Sequence, residues 1–389
     1  MKLEDITINN IGCIKHLVLD KLNPVMNVVT GPNGIGKTTL LKSICSILTT
    51  AKSIRLTRNS RSEDGQISGS LFNGVTSEKK VQQIKAFAPD TKDFADGFKK
   101  VRNVIYLSDN REFNYVKLGS IPRDIIRSDY EYEYNVINSI NPEQIKGWFI
   151  NRFLFSAQPE SLTESQISNF ELATRAFSCL DPSVCFSKVD SRTLDIILDT
   201  SFGPIYFEYL SSGFKSLIIL ILGIIKEIEF RFGDSNVKVA EFDGIIIIDE
   251  IDVHLHPTWQ AQIINVLCEI FPNVQFFVST HSPHVVQSLP QEQLIALEKV
   301  DDNIVRRDLL SNDSGYIGWT IEEVLRDVMG MANTNTSIFH DLWERFSTAI
   351  ENEDSQNAHK LGQILLEMLH PANVLRKVIE LQLTALPND

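Results

Sequence analysis

The chain has 389 residues, 43% of them hydrophobic and 22% charged, a composition that supports a sizeable core and excludes a disordered chain. At roughly 150 residues per domain the length allows two or three structural units. The formal net charge is −13, so no global basic field draws the chain to nucleic acid or an anionic membrane. The charge is uneven: residues 1–128 hold 20 Lys/Arg against 12 Asp/Glu, and residues 129–389 hold 17 against 38. Cys13, Cys45, Cys179, Cys185 and Cys268 have no CxxC spacing and read as reduced thiols. The opening MKLEDITINNIG lacks the apolar core of a signal peptide. The most apolar run, residues 217–225, is far short of the roughly 20 residues of a membrane helix. The expectation is a soluble cytoplasmic protein with no membrane association.

In chain order, residues 3–30 alternate short apolar runs that predict two or three strands, the last ending at a glycine-rich turn. Residues 39–49 have helical apolar spacing. IRLTR, QISGSLF and VQQIKAF, within 53–87, predict short strands, and NVIYL (103–107) predicts another. From about 121 to 180 the pattern is helical, with Ser161-Leu-Thr-Glu164 reading as a capping box for a helix through Phe177. TLDIIL and PIYFEY predict paired strands around the Ser201-Phe-Gly203 turn, followed by a helix over 214–230. Four consecutive isoleucines, 245–248, suit a strand buried on both faces of a parallel sheet. A helix over about 258–270 and a strand over 274–280 continue the β–α–β alternation. Residues 318–389 read as acidic helices: one from Thr320-Ile-Glu-Glu323 to Gly330, one over 337–351, and one over 355–385 broken near Pro371. The expected divisions are an N-terminal lobe (1–120) carrying a strand-rich arm, a helical insert (121–190), a second lobe (191–317) and a helical interaction region (318–389).

Three segments carry chemistry. Gly31-Pro-Asn33-Gly34-Ile-Gly36-Lys37-Thr38-Thr39 contains a full G-x-x-x-x-G-K-[ST] pattern between an apolar strand and an amphipathic helix. Its glycines allow successive N–H groups to face phosphate oxygens at a helix N-terminus. Lys37 would reach the β/γ-phosphates of ATP, and Thr38 would ligate Mg²⁺. In Gly244-Ile-Ile-Ile-Ile-Asp249-Glu250 an apolar strand ends in two carboxylates. Asp249 would hold Mg²⁺ through water and Glu250 would polarise the attacking water. Leu210-Ser211-Ser212-Gly213-Phe214-Lys215, at the mouth of a helix, is the third, and Ser279-Thr280-His281-Ser282 follows the next strand.

P-loop, LSGGQ-like signature, Walker B with Glu and a late histidine, in that order, resemble ABC-type ATPases of the structural-maintenance-of-chromosomes and overcoming-lysogenization-defect lineage over roughly 1–110 and 190–300. The resemblance implies an ABC-type α/β fold, a mixed sheet with an antiparallel β arm, and two ATP molecules sandwiched in a head-to-tail dimer. It also implies that Ser211, Ser212 and Gly213 act in trans on the γ-phosphate held by the other subunit, that His281 is the switch histidine, and that Asp252 lies in the loop across the dimer interface. Ser212 replaces the first signature glycine, and Phe214 the usual Gln or Glu. Gln82 and Gln83 are positional candidates for the Q-loop, with Arg111 as a substitute.

The 174 residues from Thr38 to Ser211 leave no room for a long coiled coil, and the last 90 or so carry no Toprim or His-Asn-His pattern. LSSGF, DEIDVHLHPTWQ, STHSPHVV and the tail beginning GWTIEEVLRDVMG resemble PtuA-type ATPases of Septu and retron anti-phage systems, which work with a separate nuclease. The resemblance therefore implies a homodimer or higher homo-oligomer with a partner nuclease or other effector. The alternative is a stand-alone DNA-repair or DNA-processing ATPase acting directly on nucleic acid. His254, His256, His281 and His284 imitate a metal site by spacing. Arg55, Arg58, Arg61, Lys79 and Lys80 read either as a solvated, aggregation-resistant edge or as phosphate contacts.

Overall fold

The computed structural model describes residues 1–389 except 50–52, 89–90, 92–96, 109–116, 125–126, 135, 139–140, 234–235, 310–314, 332–334 and 387–389. Two compact units divide at Gly330/Met331. Hairpin β1 (Lys2–Ile11) and β2 (Ile14–Leu19) leads to β3 (Met26–Thr30), the glycine loop and helix α1 (Lys37–Leu48). A second hairpin, β4 (Gly65–Phe72) and β5 (Ser77–Ile84), turns at Asn73-Gly74. Strand β6 (Val104–Leu107), helix α2 (Asp129–Tyr134) and β7 (Ile137–Asn138) precede helices α3 (Pro142–Ser156) and α4 (Glu164–Leu180). A three-stranded sheet, β8 (Cys185–Val189), β9 (Ile196–Thr200) and β10 (Gly203–Tyr206), then delivers the chain to α5 (Ser212–Arg231). β11 (Ile245–Ile248), α6 (Pro257–Gln260), α7 (Ile263–Ile270), β12 (Gln275–Ser279), α8 (Pro283–Gln287), β13 (Leu294–Val300) and β14 (Asn303–Arg306) complete the sheet. Helix α9 (Ile321–Glu323) continues as a π turn over Val324–Val328.

The central sheet has the order β14-β13-β3-β12-β11-β6-β7 and is parallel except for β14 at one edge. Alternation along β11 explains its isoleucines. Ile246 and Ile248 join the cluster built around α5, whereas Ile245 and Ile247 join the cluster built around α1, because successive side chains of a strand leave opposite faces. Both faces are therefore apolar, and every residue of β3, β11 and β12 is buried. The antiparallel arm is the separate sheet β2-β1-β4-β5. The fold is the expected α/β class with a mixed sheet and β arm.

Local expectations shift in places. IRLTR forms no strand; it is tied down by an isolated bridge from Arg58 to Ile11 and by the Arg58 N–H donating to the Ala86 carbonyl. The capping box of α4 is Thr163 with Gln166, not Ser161 with Glu164. The helix expected over 258–270 is interrupted between Gln260 and Ile263. Helix α5 runs against α3 and α4, and its buried Glu229 accepts hydrogen bonds from Trp148 (2.8 Å), Arg152 (2.7 Å) and Asn169 (3.2 Å). These bonds satisfy a carboxylate that burial would otherwise make costly.

The second unit holds α10 (Ser337–Glu351), α11 (Ser355–Met368) and α12 (Leu375–Ala385) around Phe346, Leu361, Leu365 and Ile379. Thr336 and Asp354 cap the first two helices. Residues 318–330 belong to the larger unit, where Val324 and Val328 are buried in the α5 cluster. Truncation after Gly330 is therefore expected to leave Mg²⁺-ATP binding intact. Truncation after Ile317 removes three buried apolar side chains of that cluster, Val324, Val328 and Met329, at about 1.5–3 kcal/mol each, and is expected to lower the Tm clearly. Calorimetric scans of both truncations check this.

Candidate active site

β12 lies between β3 and β11, and all three run parallel. The glycine loop, the Asp249-Glu250 pair and His281 consequently leave the carboxyl ends of three neighbouring strands, where open α/β sheets form their ligand crevices. There an open cleft of about 640 Å³ is lined by Cys13, Asn33, Gly34, Gly36, Lys37, Thr38, Thr39, Asp249, Glu250 and His281. All the residues expected to bind in cis thus converge on one cleft. Cys13, in the β1–β2 turn, was not expected there; no motif marks it.

Two loop glycines are sterically required. Gly31 has φ 143°, and a side chain there would place Cβ 2.5 Å from the Leu297 carbonyl oxygen. Gly36 has φ 102° at the N-cap of α1, with Cys13 Sγ 2.9 Å from where a Cβ would lie. Lys37 is only 6% exposed, and its Nζ donates to the carbonyls of Gly31 (2.9 Å) and Pro32 (3.1 Å). Burial lowers its pKa, against the opposing pull of Glu250, Asp249 and Asp252.

Ser279, at the end of β12, organises the acidic pair. Its hydroxyl donates to Asp249 Oδ1 (2.5 Å) and accepts from the Glu250 N–H (2.7 Å). Tyr106 on β6 donates its hydroxyl to Asp249 Oδ2 (3.3 Å), across the sheet register that sets Ile247 opposite Tyr106. Glu250 adopts φ 49°, a left-handed conformation that costs a non-glycine residue of order 1–3 kcal/mol and concentrates at functional sites. Asp252 Oδ1 accepts from Thr280 Oγ1 (2.6 Å) and the His281 N–H (3.1 Å), so the loop after β11 positions the histidine within the same chain. Ser279 was visible beside His281 in the sequence, but its bond to Asp249 depends on strand pairing.

The hydroxyl of Thr38 and the carboxylate of Asp249 are hard oxygen donors lining one cleft. They suit Mg²⁺, which takes one or two protein ligands and keeps water and phosphate for the rest. Three carboxylates (Asp249, Glu250, Asp252) act on Lys37 here, so a divalent cation would also offset their repulsion of a polyphosphate.

Ser211, Ser212 and Gly213 are not among the residues lining this cleft. They form the N-terminus of α5, where Ser211 Oγ accepts from the Phe214 N–H (3.3 Å) and both serines are exposed. Gly213 abuts the His254–His256 backbone, and Phe214 packs edge-on against Trp259 at 5.5 Å. Gln82 is buried behind α1, its Oε1 accepting from Ser46; neither it nor Gln83 lines the cleft. Arg111 lies outside the described residues. Among the described residues no group of three or more His, Cys, Asp or Glu could hold a metal ion. Several arm cations are engaged: Arg58 bonds the Asn59 and Ser62 carbonyls, Arg61 pairs with Asp302, and Lys80 pairs with Glu78.

A P-loop between a buried parallel strand and its helix, facing a strand-end carboxylate pair, defines an ATPase of the P-loop class. A family profile described as "AAA domain, putative AbiEii toxin, Type IV TA system" matches residues 26–287. The chain is 40% identical to Septu protein PtuA from Bacillus thuringiensis, over 98% of this chain and 97% of that protein. It belongs to the PtuA family of AAA-domain ATPases. Retron Ec83 probable ATPase from Escherichia coli is 28% identical over 50% of this chain and 35% of that protein. The SMC head domain from Thermotoga maritima aligns with TM-score 0.46 and 14% identity, covering 79% of this chain and 100% of that one. No helix among the described residues is long and apolar enough to cross a membrane.

Proposed function

We propose that this ATPase binds Mg²⁺-ATP on its P-loop, closes head to tail with a second copy around the nucleotide, and uses that cycle to gate a partner nuclease effector in cytoplasmic anti-phage defence. The N–H groups of the loop from Asn33 to Thr39 cradle the phosphates, with Gly34 and Gly36 supplying the conformation. Lys37 exchanges its loop carbonyls for β- and γ-phosphate oxygens. Thr38 and Asp249 would hold Mg²⁺, which would supply neutralising charge at the phosphates. Glu250 accepts the proton of the attacking water, and His281, held by Asp252, senses the γ-phosphate.

One observation carries the dimer: the Ser211–Gly213 signature sits outside the cleft of its own chain. Its exposed hydroxyls at a helix N-terminus are suited to a second copy's γ-phosphate. The partner effector rests on the PtuA relationship.

Mixing two inactive variants tests the shared site. Lys37→Ala keeps a sound signature, and Ser211→Arg keeps a sound P-loop. Each alone is expected to show little ATP hydrolysis, whereas an equimolar mixture regains a measurable fraction through composite sites. A mixture as inactive as its parts overturns the trans assignment. Co-purification with the products of neighbouring genes tests the effector.

A further inference from the structure

Ser211 and Ser212 of the signature are exposed, yet the turn before them is braced from behind by a buried ion triad whose cation comes from the helical insert. Lys146 on α3 donates to Asp195 Oδ1 and to Glu208 Oε1, both at 2.6 Å. Side-chain exposures of 7%, 8% and 16% put all three groups out of water. Glu208 lies three residues before Ser211, in the 3-10 turn Phe207–Tyr209 that feeds α5. Its backbone is gripped as well, since Lys215 Nζ donates to the Glu208 carbonyl at 2.9 Å. Among the described residues Glu208 Oε2 is buried without a hydrogen bond, so this carboxylate depends on Lys146 for compensation.

The triad joins three separate elements: the insert helix α3, the entry to β9, and the turn before the signature. Burial alone would lower the Lys146 pKa, but its hydrogen bonds and charge pairing with Asp195 and Glu208 prevail and raise it, so the bridge stays charged. Further along, Arg152 and Trp148 of the same helix bond Glu229 in the last turn of α5. Helix α3 thereby bonds both the turn before the signature helix and the last turn of that helix.

We infer that Lys146 is a positioning residue for ATP hydrolysis, through which the helical insert sets where Ser211 and Ser212 at the N-terminus of α5 present themselves to a second copy's nucleotide. The inference rests on the trans-signature reading proposed above. Lys146 touches neither nucleotide nor cleft, so its loss should alter turnover and spare binding. Any effector that shifts α3 would act on hydrolysis by the same route.

The test compares Lys146→Met, Lys146→Arg and the triple variant Lys146→Met/Asp195→Asn/Glu208→Gln, which removes the orphaned carboxylates with the cation. In Lys146→Met, Mg²⁺-ATP affinity by calorimetry is expected to match wild type. Its kcat should fall by about 10-fold or more, since misplacement by about 1 Å can cost 100-fold. Lys146→Arg should regain part of that loss. The triple variant should recover Tm but not kcat, and it is the one read if Lys146→Met does not fold. A triple variant with wild-type kcat means the triad only stabilises the fold, and overturns the inference. Ser211→Arg separates the two readings. If it hydrolyses ATP normally, the trans signature itself fails; if it is inactive while folded Lys146→Met turns over like wild type, only the role of Lys146 fails.

Discussion

Lys37→Ala is expected to weaken Mg²⁺-ATP binding by about 100-fold or more, with ATP hydrolysis lost in consequence. Each charge-assisted hydrogen bond contributes about 1.5–3 kcal/mol, and the ammonium would make at least two to the β- and γ-phosphates. That is about 3–6 kcal/mol, or two to four decades of affinity. A second effect adds to the first. Asp249, Glu250 and Asp252 all act on Lys37, so removing it leaves acidic groups facing a polyanion. Fold loss should be small, because among the described residues the hydrogen bonds of Lys37 go to the Gly31 and Pro32 carbonyls of its own loop. Isothermal calorimetry with Mg²⁺-ATP measures the change, and equal affinity in wild type and variant would refute the P-loop assignment.

Glu250→Gln should reduce turnover by at least about 100-fold, the lower range for a lost general base, while ATP stays bound. Gln keeps the size and the donor-to-Ser279 backbone geometry but cannot take a proton from water. Binding should be undiminished, since one carboxylate leaves the neighbourhood of the phosphates. Single-turnover phosphate release, with nucleotide occupancy measured in parallel, separates the two quantities. Normal hydrolysis by this variant would transfer the base role elsewhere, with His281 the next group on the cleft wall. Glu250→Gly serves as a control for backbone strain: it relieves the φ 49° conformation and should still be inactive, because chemistry rather than strain requires the carboxylate.

Much of the site is legible in the chain because its parts are local. A phosphate loop needs glycines at fixed offsets from a helix start, and Gly31, Gly36 and Lys37 occupy them within seven residues. Ile245–Ile248 followed by Asp249-Glu250 combines a doubly buried strand with its first polar positions, so one short segment states both fold and chemistry. The helices of the second unit are equally readable from apolar spacing, as one over 337–351 and one over 355–385 broken near Pro371, which the structure divides into α11 and α12.

Other features depend on partners distant in sequence. Nothing in Tyr106 or Ser279 alone says that both hold Asp249; that follows from β6, β11 and β12 lying side by side. Cys13 reaches the cleft only because the β1–β2 turn comes to lie against Gly36. Residues 318–330 look like the start of the tail, but Val324 and Val328 find their burial in the first unit's core, and burial places a boundary more strongly than charge composition does. By itself the sequence determined the strand-loop-helix phosphate motif, the acidic strand end, the class of fold and the helical tail, all set by backbone sterics and short-range periodicity. Only the tertiary structure decided that Ser279 and Tyr106 hold Asp249 and that Lys146 bonds the turn before the signature, because ion pairs and strand neighbours across dozens of residues are chosen by packing, which no local pattern records.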